Sequence, residues 1–217
     1  MLWMRGSMLF SYFRASYAAL KQNILGQKKQ WYMALFFAVL IVFLAVFHTF
    51  FNPFLQYDYL MFSKHQYWRV ITAHFVHLNL QHALMNLAAT ALILFMFSEF
   101  IAALWWICLS LVLSLCVSLG LYVFDNNVHY YVGFSGVLYG LWMCGALICL
   151  RKIPLTSIAI CCVLTYTVWQ QQADNFDAGY LADWINGQVI VNAHLYGFIA
   201  GIVCAMFYWL GVFLRAR

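Results

Sequence analysis

Apolar side chains fill six long stretches of this chain, and polar side chains are concentrated in the segments between them. The six runs cover residues 31–50, 82–100, 102–124, 134–150, 153–170 and 193–214. Each is close to the roughly 20 residues that a helix needs to cross a hydrocarbon core of about 30 Å. Because the runs are continuously apolar and do not alternate, they predict helices and not membrane strands. The pattern therefore predicts an all-α fold, a polytopic membrane bundle of six transmembrane helices.

Composition supports this interpretation and excludes several classes of protein. The 217 residues are 66% hydrophobic and only 8% charged, whereas a soluble domain carries about 25% charged residues. A soluble domain, a disordered chain and a disulfide scaffold are therefore excluded. The net charge of +5 does not indicate nucleic-acid binding, since the basic residues form no binding stripe. The seven cysteines lie within apolar runs and are interpreted as free thiols.

The distribution of Lys and Arg predicts the orientation and the domain boundaries. Five basic residues precede the first run, two lie between the fourth and fifth runs, and two end the chain, against two in the segment after the first run. By the positive-inside rule, both termini are expected to be cytoplasmic. Residues 1–30 are expected to form an amphipathic basic segment at the membrane surface, residues 31–214 the membrane domain, and residues 215–217 a basic tail.

Four polar residues stand near the starts of predicted spans two, four and six: His82, Asn86, Ser135 and His194. Polar and ionisable groups inside a membrane are expensive, and each is a hypothesis for function. Under the predicted topology these three spans enter from the outer side. All four side chains are therefore expected at a similar depth, within a turn or two of the outer surface.

Glycine spacing predicts that spans four and six pack closely beside two of these residues. Glycines lie four positions apart on both spans, at Gly136 and Gly140 and at Gly197 and Gly201. Such pairs allow membrane helices to approach backbone to backbone, which would bring Ser135 towards His194. A serine paired with a histidine is an activated nucleophile with its general base.

Each of these features also has an ordinary structural interpretation. Glycines four apart in a membrane helix usually serve packing alone, and a serine in a span usually bonds the carbonyl four residues earlier. A histidine at the end of a span is commonly an interfacial residue. Their joint occurrence on three helices at one depth favours a catalytic site.

These residues resemble the motifs of the rhomboid family of intramembrane serine proteases. The matching segments are Gly133-Phe134-Ser135-Gly136, His82-Ala83-Leu84-Met85-Asn86, Ala193-His194-Leu195-Tyr196-Gly197 with Gly201, and Trp68-Arg69. The resemblance extends over residues 31–214. It implies a six-helix catalytic membrane domain that needs no cofactor and no metal.

The resemblance also implies a role for each matching residue. Ser135 is expected to be the nucleophile and His194 the general base, with no acidic third member. His82, Asn86 and the backbone N–H of Ser135 are expected to form the oxyanion hole. Tyr139 is expected to pack against the His194 ring, and the supporting glycines are Gly133, Gly136, Gly197 and Gly201. Trp68-Arg69 is expected to brace the first outer loop against the bilayer interface, or else to be an ordinary interface anchor.

One stretch narrows the resemblance to the rhombosortase branch of the family. The stretch is His74-Phe75-Val76-His77-Leu78-Asn79, in a compact chain. It implies a bacterial inner-membrane enzyme, open to the outer side, whose partners are the lipid bilayer and substrates with a single transmembrane segment, without nucleic acid. Enzymes of this branch cleave tails carrying a Gly-Gly motif, a hydrophobic span and basic residues. His74 and His77 themselves are interpreted as structural or interfacial.

The segment 171–192 is expected to cap the site and to move when substrate enters laterally near spans two and five.

Two functions other than proteolysis are compatible with parts of the pattern. A non-catalytic rhomboid-like protein would bind membrane clients, although such relatives typically lack the serine or the histidine. A haem or metal protein would use His82 and His194 as ligands, which leaves the Ser135 motif unexplained.

Overall fold

The computed structural model describes Tyr32, residues 35–173 and residues 176–215. The chain divides into two compact units, residues 1–40 and residues 41–217. Nearly all of the first unit, including the predicted surface segment 1–30, lies outside the described residues. Of the predicted tail 215–217, only Arg215 is described.

The described residues are mostly helical, which confirms the predicted class. In chain order the helices are α1 (Leu35–Val46), α2 (His48–Leu55), α3 (Arg69–Thr72), α4 (Leu80–Phe97), α5 (Ala103–Phe124), α6 (Ser135–Cys149), α7 (Pro154–Gln171), α8 (Tyr180–Ile185) and α9 (Val191–Arg215). A 3-10 turn covers Tyr59–Met61. Two short strands, β1 (Tyr57–Asp58) and β2 (Tyr130–Tyr131), pair antiparallel with Tyr57 opposite Tyr131.

The described helices differ in their capacity to cross a membrane. By length and apolarity, α4, α5 and α9 qualify as spans. Helices α1 and α2 are each too short to span a membrane and qualify only as a pair, which bends by 102°. Helix α6 is apolar but has only 15 residues. The described part of the chain thus contains three candidate spans, or four with the bent pair, and the count of six remains a prediction.

The two prolines behave differently from each other. Pro154 lies in the first turn of α7, where its missing N–H costs nothing. Pro53, which follows the first predicted span, lies inside α2. Helix α2 tolerates it close to its end: Gln56 N–H still donates to Asn52 O, and the helix stops at Leu55.

Arg69 braces the loop that follows α2 against the C-terminal end of that helix. The side chain is only 5% exposed, and its guanidinium donates to Pro53 O at 2.6 Å and to Gln56 O at 2.7 Å. The neighbouring Trp68 is half-exposed and donates from its indole to Phe54 O. Arg69 therefore supports the loop from inside the protein and is not an anchor at the interface.

Helix α6 lies at the centre of the bundle. It contacts α4, α5, α7 and α9, and most of its residues are buried. Its apolar side chains join Phe97 of α4 and Leu113 of α5 in the largest hydrophobic cluster of the described residues. Because α6 begins at Ser135, the serine is attached to the most enclosed helix of the described structure.

Candidate active site

The turn before Ser135 requires glycine. Gly133 has φ +120°, a backbone conformation that residues other than glycine rarely adopt. A Cβ at Gly133 would also lie 2.6 Å from Cε1 of His82. The turn is held by Gly133 N–H donating to Ala73 O at 3.1 Å and by the Tyr131 hydroxyl donating to Gly133 O at 2.8 Å. The backbone leading into the serine therefore runs directly against the His82 ring.

Helices α6 and α9 contact each other backbone to backbone through the glycines singled out in the sequence. A Cβ on Gly197 would overlap the carbonyl oxygen of Gly136. A Cβ on Gly201 would lie 2.5 Å from Gly140 O, and one on Gly140 would lie 2.7 Å from Gly197 O. No side chain separates the helices at these positions, so the residues beside the glycines are carried close together.

Ser135 and His194 meet at this contact between helices. The distance from Ser135 Oγ to His194 Nε2 is 2.9 Å, which is hydrogen-bonding distance. His194 is buried, with 7% of its surface exposed. Its ring is stacked on Tyr139, with ring centroids 4.4 Å apart and planes inclined by 8°. The stacking and the bond to serine leave the imidazole little rotational freedom.

Gln171, which the sequence analysis missed, completes the surroundings of His194. Its Oε1 lies 3.0 Å from His194 Nδ1, and its Nε2 donates to the Tyr139 hydroxyl at 3.0 Å. The residue belongs to a run of three glutamines, residues 170–172, at the end of the fifth predicted span. Such a run marks the end of a span but does not show which glutamine faces inward.

His82 and Asn86 lie on the first turns of α4, beside the turn at Gly133. Helix α4 is capped by Asn79, whose side chain accepts from His82 N–H at 2.8 Å. The amide Nδ2 of Asn86 is buried and has no hydrogen-bond partner among the described residues. It faces the position 3.8 Å away that a Cβ of Gly133 would occupy. A buried, unpaired donor costs stability, and one next to a candidate nucleophile is a candidate for binding developing negative charge.

Ser135 and His194 face a cavity of about 210 Å³ that His82 also lines. One wall is formed by the strand β2 and the residue after it, and another by the segment between α8 and α9. The remaining lining residues are Gln56, Leu78, Tyr130, Tyr131, Val132, Ile185, Gly187, Gln188, Val189 and Ile190. The walls are apolar to a large extent, while the three candidate catalytic side chains supply polar groups at one place.

His74 and His77 are internal and not interfacial. The ring of His74 donates from Nε2 to Ser118 Oγ at 3.0 Å, since the Ser118 hydroxyl itself donates to Val70 O. Burial lowers the pKa of His74 to about 4. His77 packs edge-on against His82, with ring centroids 5.0 Å apart. Burial and the neighbouring His82 lower the pKa of His77 to about 3, so both rings are neutral near pH 7.

The geometry suits a Ser–His pair better than a metal centre. Among the described residues, no group of three or more His, Cys, Asp and Glu could hold a metal ion. Both ring nitrogens of His194 are already engaged, by Ser135 and by Gln171. A metal bound at either nitrogen would have to break one of these bonds.

Comparison with known families identifies the membrane domain. A model of the Rhomboid domain matches residues 64–211, about two thirds of the chain. The matched region contains Trp68-Arg69 and the three segments that carry His82, Ser135 and His194. A search of curated proteins gives no match.

Proposed function

The chain belongs to the rhomboid family, a family of intramembrane proteases, and from this premise we propose that it is a serine endopeptidase that cleaves membrane-anchored proteins. Ser135 is the nucleophile and His194 the general base. The observation that carries the proposal is the 2.9 Å contact between Ser135 Oγ and His194 Nε2 across the junction of α6 and α9. Nucleophile and base within hydrogen-bond reach, with the base held by further groups, is the arrangement that acyl transfer requires.

The proposed reaction is a two-step acyl transfer. Ser135 Oγ attacks the peptide carbonyl carbon while its proton passes to His194 Nε2. When the tetrahedral intermediate collapses, the C–N bond breaks and the same proton passes from Nε2 to the leaving amine. Water then attacks the acyl-serine, its proton passes to Nε2, and the proton returns to Oγ as the carboxylic product leaves.

His82, Asn86 and the backbone N–H of Ser135 are proposed to bind the oxyanion of the intermediate. The unpaired Nδ2 of Asn86 and the ring of His82 lie on one face of α4, beside the turn that carries the serine. In a site of low dielectric, such donors are strongest where negative charge develops. The energetic cost of keeping the Asn86 amide unpaired in the free protein is then compensated in the transition state.

The substrates are proposed to be membrane proteins with a single transmembrane segment, cut in or near that segment. The stretch His74–Asn79 supports assignment to the rhombosortase branch, whose substrates carry Gly-Gly sorting tails. On this proposal the protein lies in a bacterial inner membrane with both termini in the cytoplasm. A tail peptide with the Gly-Gly motif intact or replaced, reconstituted with the full chain, would separate this branch from general rhomboid activity.

Access to the cavity is proposed to depend on the segment between α7 and α9. Ile185 and residues 187–190 of this segment line the cavity. The segment also contacts the start of α4, where Asn79 Nδ2 donates to Trp184 O at 3.4 Å. A cross-link that pins this segment to residue 78 should slow cleavage of a protein substrate more than it slows labelling of Ser135 by a small reagent.

Fluorophosphonate labelling tests the proposed function directly. The purified full chain in detergent should be labelled at Ser135 and should cleave a single-span substrate. Ser135→Ala and His194→Ala should each abolish both activities, and the double variant should be no worse, since the two residues act as one unit. Ser110→Ala is the matched control, because that hydroxyl only donates to Trp106 O within its own helix. A folded wild-type protein that neither labels nor cleaves would instead support a client-binding role.

A further inference from the structure

The last turn of α7 carries one buried glutamine between two exposed ones. Gln170 and Gln172 are exposed, whereas Gln171 is only 7% exposed. Its amide connects the two stacked rings, with Oε1 against His194 Nδ1 and Nε2 against the Tyr139 hydroxyl, both at 3.0 Å. Tyr139, Gln171 and His194, which belong to α6, α7 and α9, thus contact one another in a group of three side chains.

We propose that Gln171 is a positioning residue for the reaction, a neutral third member that fixes the tautomer of His194. The inference rests on the proposed function, because it assigns the role through the Ser135–His194 pair. An amide oxygen accepts hydrogen bonds and cannot donate them. The neutral ring therefore carries its proton on Nδ1, and the lone pair of Nε2 faces the Ser135 hydroxyl.

In the structure, Nε2 of Gln171 faces the Tyr139 hydroxyl and Oε1 faces the imidazole. A tyrosine hydroxyl both donates and accepts hydrogen bonds, so it can satisfy the amide in either orientation. A rotated amide would present its NH₂ to Nδ1 and favour the other tautomer, in which Nε2 carries the proton. That tautomer cannot accept the serine proton, and a wrong tautomer of this kind is highly damaging in a Ser–His–Asp triad.

The same oxygen can also accept a hydrogen bond from the protonated, charged form of His194. Once Nε2 has taken the Ser135 proton, both ring nitrogens carry hydrogen, and Nδ1–H needs an acceptor. Oε1 already lies 3.0 Å away, so no reorganisation is required as the charge appears. A carboxylate would stabilise the imidazolium more strongly, but a buried anion carries a large desolvation cost in a membrane protein. The amide supplies a dipole at that position without a permanent charge.

The test compares Gln171→Leu, which removes the acceptor, with Gln171→Glu, which keeps one in either protonation state. Gln170→Leu is the matched control, because Gln170 is exposed and donates to Tyr166 of its own helix. Gln171→Leu should lower kcat about 10- to 100-fold, the range for losing a hydrogen bond to a charged group, with KM little changed. Gln171→Glu should recover most of the loss, and Gln170→Leu should match the wild type.

Two outcomes would overturn the inference. One is equal kcat in Gln171→Leu and Gln170→Leu. The other is an equal loss of kcat in Gln171→Leu and Gln171→Glu, which would indicate a packing role. Nitrogen NMR of labelled histidine, assigned with His194→Ala, reports the tautomer without requiring turnover. A proton on Nδ1 in the wild type and its redistribution in Gln171→Leu support the inference even if the protein proves inactive, whereas a wild-type proton on Nε2 contradicts it.

Discussion

Replacing Gly197 by alanine tests whether the backbone contact between α6 and α9 sets the geometry of the Ser135–His194 pair. The new Cβ would overlap Gly136 O, and neither atom can rotate away, since both are fixed to helix backbones. Helix α9 must therefore move outward. Overpacking typically costs about 1–3 kcal/mol, and this substitution should fall at the upper end of that range.

The same displacement should reduce activity as well as stability. His194 lies three residues before Gly197 on α9, and its bond to Ser135 is 2.9 Å long. A shift on the order of 1 Å would break the bond, and misplacement of that size can cost about 100-fold in rate. The measurements are the thermal unfolding temperature in detergent and the rate of fluorophosphonate labelling at Ser135.

Two further alanine substitutions on α9 provide a graded comparison. Gly201→Ala brings its Cβ to 2.5 Å from Gly140 O, whereas a Cβ at Gly211 meets nothing within 4 Å. Gly211→Ala should therefore be neutral or stabilising by about 0.5–1 kcal/mol, the usual gain in a helix. Labelling should fall in the order Gly211→Ala, Gly201→Ala, Gly197→Ala. If Gly197→Ala has the same unfolding temperature and the same labelling rate as Gly211→Ala, the contact does not position the Ser135–His194 pair.

Three other substitutions test separate parts of the structure. Asn86→Ala should lower kcat about 100- to 1,000-fold, as for loss of an oxyanion donor, with slowed but measurable labelling of Ser135; unchanged turnover would exclude the role. Arg69→Lys should lower the unfolding temperature, because an ammonium cannot hold two carbonyls as the guanidinium does and a buried unpaired acceptor costs about 1–3 kcal/mol; a wild-type temperature would contradict the brace. The lowered pKa of His77, about 3 against an ordinary 6.5, means that stability is fully present above pH 6.5 and falls below it by about 1.4 kcal/mol per pH unit. The unfolding temperature should therefore drop less between about pH 7 and pH 5 in His77→Leu than in the wild type, and equal slopes would refute this.

The sequence predicted the helical class and the proximity of Ser135 to His194, because both depend on local patterns. Continuous apolar runs specify helices by composition alone. Gly136 and Gly197 mark close helix approach through their spacing, and Ser135 and His194 adjoin them in the sequence. The contact in space follows once the two helices are paired through those glycines.

The features that the sequence did not predict depend on how the helices bend, rotate and pack against each other. The apolar run 31–50 is uninterrupted, so nothing in it indicates the 102° bend between α1 and α2. Pro53 lies inside α2, and the donor to its carbonyl, Arg69, lies 16 positions along the chain, so a local pattern cannot indicate the contact. Gln171 could be chosen among its neighbours only with the rotation of α7 known, since its partners Tyr139 and His194 lie 32 and 23 positions away.

The shortness of α6 ties the proposed chemistry to the thickness of the bilayer. At 1.5 Å per residue, its 15 residues rise about 22 Å, roughly 8 Å less than a hydrocarbon core of about 30 Å. Under the predicted topology, Arg151 and Lys152, which come just after α6, lie at the level of the headgroups. The shortfall then lies at the other end, where the helix begins with Ser135. Lipids with shorter acyl chains would lower the opposite surface towards the serine and shorten the path that water must travel. The rate of labelling at Ser135 would then depend on the thickness of the membrane.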